Sequence, residues 1–166
     1  MTHVFHVLCI SFFVQCIHLV HDVKREEIPY KVRRNTMERV KEIIKGDMLF
    51  HLFHMELLEA SEGYARLKAR VKKEFLNAHQ IAHGAMIFAL LDVAFAISVN
   101  SITDAVGVQW SFNIFRSASL DDCVVAESKV IHKGKSLMVV EFKAESENTK
   151  KLLAKGMATA LPFPRK

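Results

Sequence analysis

A single charged side chain, Asp92, interrupts the most apolar segment of this chain. Residues 85–99 read AMIFALLDVAFAISV and directly follow His83 and Gly84. A helix that is apolar on every side is buried on every side, so this segment is expected to be the central helix of the fold. A carboxylate is costly to bury and is usually retained for a purpose. Because the start of such a helix exposes free backbone N–H groups that attract anions, helix start and acid together predict acyl-transfer chemistry.

Alternating apolar and polar residues before this segment predict a β-hairpin. In residues 64–72 four apolar side chains point one way and four basic ones the other, which predicts a strand with one face on a core. A strand over residues 54–60 and a turn at residues 61–63 precede it. The apolar set is Ala65, Leu67, Ala69 and Val71, and the basic set is Arg66, Lys68, Arg70 and Lys72.

Further elements are predicted on both sides of the apolar segment. Residues 37–44 predict a short amphipathic helix that ends at Gly46. After the central helix, strands are predicted over residues 106–115, 123–131, 136–144 and 151–160, with turns at residues 121–122, 132–135 and 147–148. In the first of these strands one side is formed by Val108, Trp110, Phe112 and Ile114.

This order of elements has a simple packing solution. It predicts an α+β domain in which an antiparallel sheet of five to six strands wraps around one long central helix. One sheet can hardly cover all sides of a helix this apolar. The uncovered side is therefore expected to be buried against a second copy of the chain, which predicts a homo-oligomer.

The net charge and the cysteine content indicate which class of ligand and which cellular compartment to expect. The net charge of +5 suits an anionic ligand such as a nucleotide or coenzyme A, and it is too diffuse to argue for nucleic-acid binding. The three cysteines, Cys9, Cys16 and Cys123, show no metal-ligand spacing and leave an odd thiol. This pattern favours a reducing compartment, so a cytoplasmic location is expected.

The first 36 residues are expected to be an N-terminal extension, with the functional domain over residues 37–166. Residues 4–20 are apolar, but polar side chains interrupt them, no basic residue precedes them and no small-residue cleavage site follows, so they fit a signal peptide poorly. The extension is interpreted as a misassigned start or an additional helix. A membrane element is the less favoured alternative, because the segment is at the short limit for a span.

The spacing of Asn77, His83-Gly84-Ala85 and Asp92 resembles a family signature. It is similar to that of hotdog-fold acyl-coenzyme A thioesterases, in particular the phenylacetate-degradation (PaaI-type) branch of the 4-hydroxybenzoyl-coenzyme A thioesterase superfamily. The similarity covers about residues 45–162. Gln80 stands where the family usually has glycine, and Ala85 replaces the second glycine of its His-Gly-Gly motif.

The resemblance implies the hotdog fold and hydrolysis of acyl-coenzyme A to free acid and coenzyme A, with no cofactor. It implies that Asp92 is the nucleophile or the general base for water, and the sequence leaves both roles open. Gly84 would donate its backbone N–H to the thioester oxygen. His83 and Asn77 are candidates for catalysis or for support of the site, and each could equally stabilise its own loop.

The separation of Gly84 and Asp92 predicts that two chains build one site. Eight residues on a helix span about 12 Å. A carbonyl oxygen held at Gly84 therefore cannot present its carbon to Asp92 of the same helix. If two helices lie antiparallel across a dimer, Gly84 of one chain can face Asp92 of the other. A homodimer is the expected minimum active unit, and a homotetramer is expected by resemblance.

Substrate contacts are predicted outside the central helix. By resemblance, Gln109 lies near the acid, and Arg116, Lys133 and Lys135 lie at the mouth that receives the coenzyme A phosphates. Each of them also fits an ordinary solvated surface position. The apolar residues Phe88, Leu91, Trp110 and Phe112 suggest a pocket for an aryl or medium-chain acyl group, or simply the core.

Three other interpretations of the sequence are less favoured. A metal site at His79 and His83 is disfavoured, because no further ligand completes a set. A non-catalytic acyl-coenzyme A sensor is the main alternative, although Asp92 retains the acid that such sensors tend to lose. A hydratase or dehydratase would require a catalytic histidine paired with an acid at other spacings.

Overall fold

The computed structural model describes residues 36–163. The expected extension over residues 1–36 therefore lies outside the described residues, except for Thr36. No helix in the described range is long and apolar enough to cross a membrane. The elements are α1 Thr36–Gly46, α2 Met48–Leu52, β1 Glu56–Ser61, β2 Tyr64–Arg70, a 3-10 turn Lys73–Phe75, α3 Gly84–Asn100, β3 Ala105–Ile114, β4 Cys123–Lys133, β5 Met138–Ser146 and β6 Leu152–Pro162.

Six antiparallel strands form one sheet in the order β1-β2-β4-β5-β6-β3, and α3 packs against it. This arrangement confirms the predicted fold class, an antiparallel sheet wrapped around one long helix. The strand that follows α3 in the chain, β3, is at the edge of the sheet, beyond β6. Its other edge has no strand partner among the described residues.

The alternation of residues 64–72 is confirmed by their burial. The four apolar residues of this segment are at most 2% exposed and contribute to the core against α3. The opposite face of the sheet carries charged side chains that pair across strands, such as Lys155 with Glu141 at 3.1 Å. The sheet therefore has one face on the core and one in water, as the period-two pattern requires.

Two local predictions were wrong. The sequence interpretation had no element at Met48–Leu52, where the structure has α2, capped by Asp47, whose carboxylate accepts from the Leu49 and Phe50 N–H groups. The predicted turn at residues 132–135 begins too early, because β4 continues to Lys133, which pairs with Met138. A register shift after Val130 allows this longer pairing.

The predicted side of β3 also needs a correction at Val108. The pairing register shifts between Gly107 and Gln109, so the alternation does not continue through Val108, which is 44% exposed. The ring of Trp110 lies directly over Gly107, where an added Cβ would be 2.2 Å from the ring. Glycine is therefore required at this position for Trp110 to pack on the core side of the strand.

Helix α3 is buried on most of its surface but not on all of it. Beyond its first turn, the residues that stay partly exposed recur every four positions, which places them in one stripe along the helix. We call this the open stripe; it consists of Gly84, Ala85, Phe88, Asp92, Ala96 and Asn100. The sheet thus leaves one side of its central helix incompletely covered, as the packing argument predicted.

Candidate active site

His83 is the N-cap of helix α3. Its backbone is extended, with φ −62° and ψ 136°, and its Nδ1 accepts a hydrogen bond from the Ala85 N–H at 3.0 Å. Since this nitrogen acts as an acceptor, the ring uses one of its two polar atoms to hold the first turn of the helix. The structure therefore places His83 as a support of the helix start.

Gly84 is the first residue of α3, and its backbone N–H has no acceptor among the described residues. An unpaired N–H at a helix N-terminus carries the positive end of the helix dipole. A Cβ at this position would meet only the Ile114 Cδ1 atom, at 3.3 Å. The N–H is therefore a preformed donor for an oxygen that carries negative charge.

Asn77 organises the loop that precedes the helix. Its side-chain oxygen accepts from the His79 N–H at 2.8 Å and from the Ile81 N–H at 3.4 Å. The side-chain Nδ2 has no partner among the described residues. Gln80, which stands where the family usually has glycine, has φ 59°, a left-handed conformation that favours glycine. The loop thus adopts the turn despite the substitution.

Backbone hydrogen bonds tie this loop to the start of α3 and to the segment after β3. The His83 N–H donates to the Phe75 carbonyl, and the Ala82 N–H donates to the Ala118 carbonyl, each at 2.9 Å. Asn77, His83 and Gly84 therefore lie at one end of the domain. His79 is exposed on the same loop, and the expectation of no metal there stays a prediction.

Asp92 is in the middle of the open stripe and is half-buried. Burial raises the pKa of its carboxyl group above the ordinary aspartate value, and the Asp47 carboxylate at the start of α2 raises it further. Its side chain has no hydrogen-bond or ion-pair partner in the described part of the chain. Within residues 36–163, Asp92 is therefore neither a helix cap nor a member of an ion pair.

Asp47 is the neighbour of the site that sequence reasoning missed. It reaches Asp92 because α2 packs against α3, a contact between elements that the sequence does not show. The available signal was local: an aspartate directly after a helix-ending glycine is typical of an N-cap. Recognising that cap would have predicted α2, but not its position beside α3.

Aromatic rings lie beside the open stripe, between α3 and β3. The Phe88 ring stacks on Phe112 with centroids 5.3 Å apart, and Trp110 contacts Phe88 at 6.2 Å and Phe95 at 5.6 Å. Leu91, which was also a candidate for an acyl pocket, is fully buried in the core. The aromatic cluster therefore lies between β3 and the side of α3 that faces this strand.

The predicted substrate contacts are spread over the domain. Gln109 is exposed and lies on the opposite face of β3 from Trp110. Arg116 donates to the Leu152 carbonyl at 3.0 Å, at the end of the domain where Gly84 lies. Lys133 and Lys135 lie at the β4–β5 turn, which the strand register places at the other end, level with Gly107. One chain alone does not bring these cations together.

Comparison with known proteins fits this architecture. A sequence model described as the Thioesterase superfamily matches residues 79–153, which include the end of the loop before α3, α3 itself and strands β3, β4 and β5. A putative esterase of Archaeoglobus fulgidus is 37% identical over 123 residues, which cover 72% of this chain and 80% of that protein. The chain belongs to the thioesterase superfamily. The acyl-coenzyme A thioesterase PaaI of Escherichia coli is 30% identical over 97 residues, 58% of this chain and 69% of the relative.

Solved structures show the same fold. The Escherichia coli PaaI structure matches 78% of this chain and 94% of its own, with 24% identity and a TM-score of 0.75. The protein smu.793 of Streptococcus mutans, solved with acetyl-coenzyme A bound, is 26% identical over 66% of this chain and 88% of its own, with a TM-score of 0.63. This thioesterase is thus a PaaI-type thioester hydrolase of the hotdog fold.

Proposed function

We propose that this thioesterase hydrolyses acyl-coenzyme A to a free acid and coenzyme A. The observation that carries the proposal is that, within residues 36–163, the Gly84 N–H at the start of α3 has no acceptor and Asp92 on the open stripe has no hydrogen-bond or ion-pair partner. A donor for an oxyanion and an unpaired acid are the two groups that thioester hydrolysis requires. The similarity to an acyl-coenzyme A thioesterase and to a structure that holds acetyl-coenzyme A supports this substrate class.

In this mechanism Asp92 either attacks the thioester carbon or activates the water that does so. The Gly84 N–H stabilises the negative charge that develops on the thioester oxygen. As a nucleophile, the carboxylate attacks the thioester carbon, expels the thiolate and forms an anhydride that water cleaves. As a general base, it takes a proton from water, and the hydroxide attacks the same carbon. Burial that raises the pKa of Asp92 favours the second route, because a stronger base removes the proton more readily. In both routes the departing thiolate takes up a proton.

The active unit of the proposal is a homodimer in which Gly84 of one chain serves Asp92 of the other. Within one helix these positions are about 12 Å apart along the axis. The open stripe carries small residues at Gly84, Ala85 and Ala96, which permit a second helix to approach closely. The free edge of β3 beside the stripe provides a surface for the same partner. Assembly of such dimers into a tetramer remains a prediction from the resemblance.

An antiparallel pair also accounts for the scattered cations. Arg116 lies at the Gly84 end of α3, whereas Lys133 and Lys135 lie at the opposite end. Two chains related by a two-fold axis bring opposite ends toward each other. We propose that Arg116 and the partner chain's two lysines bind the coenzyme A phosphates, with Gln109 near the partner's acid, in a cytoplasmic enzyme that needs no metal or other cofactor.

The test is a panel of aryl and straight-chain acyl-coenzyme A substrates, with release of free thiol as the readout. We expect turnover of at least one class by the wild type. Asp92→Asn should lower kcat by about 10²- to 10⁴-fold, because a carboxylate that attacks or accepts a proton is lost. Tight binding without thiol release, by wild type and variant alike, would contradict the proposal and would indicate a non-catalytic sensor.

A further inference from the structure

Trp110, the only tryptophan of the chain, lies on the strand that runs alongside the helix bearing Asp92. Strand β3 and helix α3 run in opposite directions. Gly84 lies beside Ile114, the Phe88 ring stacks on Phe112, and Phe95 approaches Gly107. Later positions in the helix therefore lie beside earlier positions in the strand.

This order places Trp110 level with Asp92. Its ring contacts both Phe88 and Phe95, with centroids 6.2 Å and 5.6 Å away. Those two residues are about 10 Å apart along the helix axis, and Asp92 lies between them, one turn from each. Residues three and four apart share a helix face, so Asp92 emerges beside the indole ring.

A buried donor without an acceptor thus lies level with an acid without a donor. The Trp110 Nε1 atom is buried and has no hydrogen-bond partner among the described residues. The Asp92 carboxylate has none either, in the same part of the chain. Buried polar atoms are nearly always hydrogen-bonded, so each unpaired one calls for an explanation. Here the Trp110 N–H is a donor that lacks an acceptor, and the Asp92 carboxylate is an acceptor that lacks a donor.

We propose that the Trp110 indole N–H donates a hydrogen bond to the ionised Asp92 carboxylate and thereby positions it for reaction. We expect a change in the Asp92 side-chain torsions to close this contact, since the carboxylate has no hydrogen-bond or ion-pair partner among the described residues to give up. The inference rests on the proposed catalytic role of Asp92 and makes Trp110 a positioning residue. It does not itself touch the reacting atoms.

The charged groups around Asp92 explain why the Trp110 donor would matter for the ionised carboxylate. Asp47, at the start of α2, opposes ionisation of Asp92. On α1, Arg39 is engaged at the far end of α3, where it pairs with Asp104 at 2.6 Å and donates to the Asn100 carbonyl. At the other end of α3, the side chain of His83 holds the first turn. A neutral donor beside the carboxylate therefore favours its charged form without a cation.

Because the chain has one tryptophan, its single indole N–H signal in a ¹⁵N-labelled sample reports on this contact directly. We expect the signal to shift with pH as Asp92 ionises, and the shift to be absent in Asp92→Asn. A signal with the same pH dependence in both proteins would overturn the proposal. This readout needs no substrate, so it separates a failure of the contact from a failure of the proposed reaction.

Activity gives a second readout through Trp110→Phe, which retains an aromatic ring but removes the donor. We expect kcat to fall by about 10- to 100-fold, the value of one hydrogen bond to a charged group. The acid limb of the pH profile should move to higher pH, because the ionised carboxylate loses its donor. The matched control is Phe112→Leu, which disturbs the same aromatic cluster and should leave the acid limb in place. Equal movement in both variants, or none in Trp110→Phe, would contradict the inference.

Discussion

The two sides of helix α3 differ in their burial and in the pairing of their polar groups. Toward the sheet, Ile87, Leu90 and Ile97 are at most 1% exposed and belong to the continuous core. Along the open stripe, in contrast, Asp92 is only half-buried, and neither its carboxylate nor the Gly84 N–H has a hydrogen-bond partner in the described part of the chain. The comparison teaches that one helix carries both tasks: the sheet side supplies the stability, and the open stripe presents Asp92 and the Gly84 N–H, the two groups proposed to act on a substrate.

After the loss of Asp92 itself, the largest effect on kcat is expected from removing the Gly84 N–H. Proline is tolerated at the first position of a helix, and His83 before it has the extended backbone that proline requires. Gly84→Pro should therefore retain the helix and lose kcat by about 10²- to 10³-fold, as for loss of one oxyanion donor. The control is Gly84→Ala, which adds the same Cβ beside Ile114 but retains the N–H. Equal kcat in the two variants would remove Gly84 from the mechanism.

Stability should change in opposite directions on the two sides of the helix. Leu90→Ala on the sheet side should lower the free energy of unfolding by about 2–5 kcal/mol, because it leaves a cavity in a packed core. Asp92→Asn on the open stripe should raise that free energy at neutral pH, because it removes a charge whose formation folding opposes, although the same variant is expected to lose activity. Urea unfolding of both variants and the wild type measures this contrast. A destabilised Asp92→Asn would indicate that the acid has a structural role.

The gain of Asp92→Asn should depend on pH, with a sign that follows from the raised pKa of Asp92. Below the ordinary aspartate value of 3.8 the acid is protonated in both folded and unfolded chains, so the two proteins should differ little. As pH rises toward the folded-state pKa, the wild type loses stability relative to the variant, because folding opposes ionisation. Above that pKa the difference should be constant. A gain that grows as pH falls would contradict this account.

A smaller effect is expected at the cations proposed to bind phosphate. Lys135→Gln and Arg116→Gln should each raise KM for an acyl-coenzyme A several-fold and leave kcat nearly unchanged, because exposed charge contacts contribute modestly to binding. The matched comparison is an acyl-pantetheine substrate, which lacks the nucleotide phosphates. With this substrate the variants and the wild type should be equal. A KM effect that persists without the phosphates would assign these residues another role.

The sequence predicted well whatever depends on local periodicity. The alternation of residues 64–72 and the apolar run of residues 85–99 each reflect burial by a single neighbouring layer, so strand, helix and fold class could all be inferred. That one side of α3 is incompletely covered could also be inferred, because one sheet can hardly cover all sides of a helix. What the pattern could not show is that Asp92 is on that uncovered side, because the run around it is apolar in every direction.

The rest depends on contacts between distant segments. The register shift beside Gly107 coincides with the packing of the Trp110 ring over that glycine, which no alternation rule anticipates. Helix α2 has five residues, too few for a periodic signal, and its effect on Asp92 arises only from packing. The separation of Arg116 from Lys133 in one chain likewise follows from the order of the strands. Sequence spacing identified candidate groups, whereas the sheet determined their positions.

The most direct test of the account is complementation between two inactive chains. Asp92→Asn and Gly84→Pro carry different tags, are co-expressed, and the mixed dimers that bear both tags are purified. If each site combines Gly84 of one chain with Asp92 of the other, a mixed dimer has one site with both groups intact, and we predict about half of the wild-type activity. If both groups act within one chain, each site lacks one of them. Activity no higher than that of the separate variants would contradict the account.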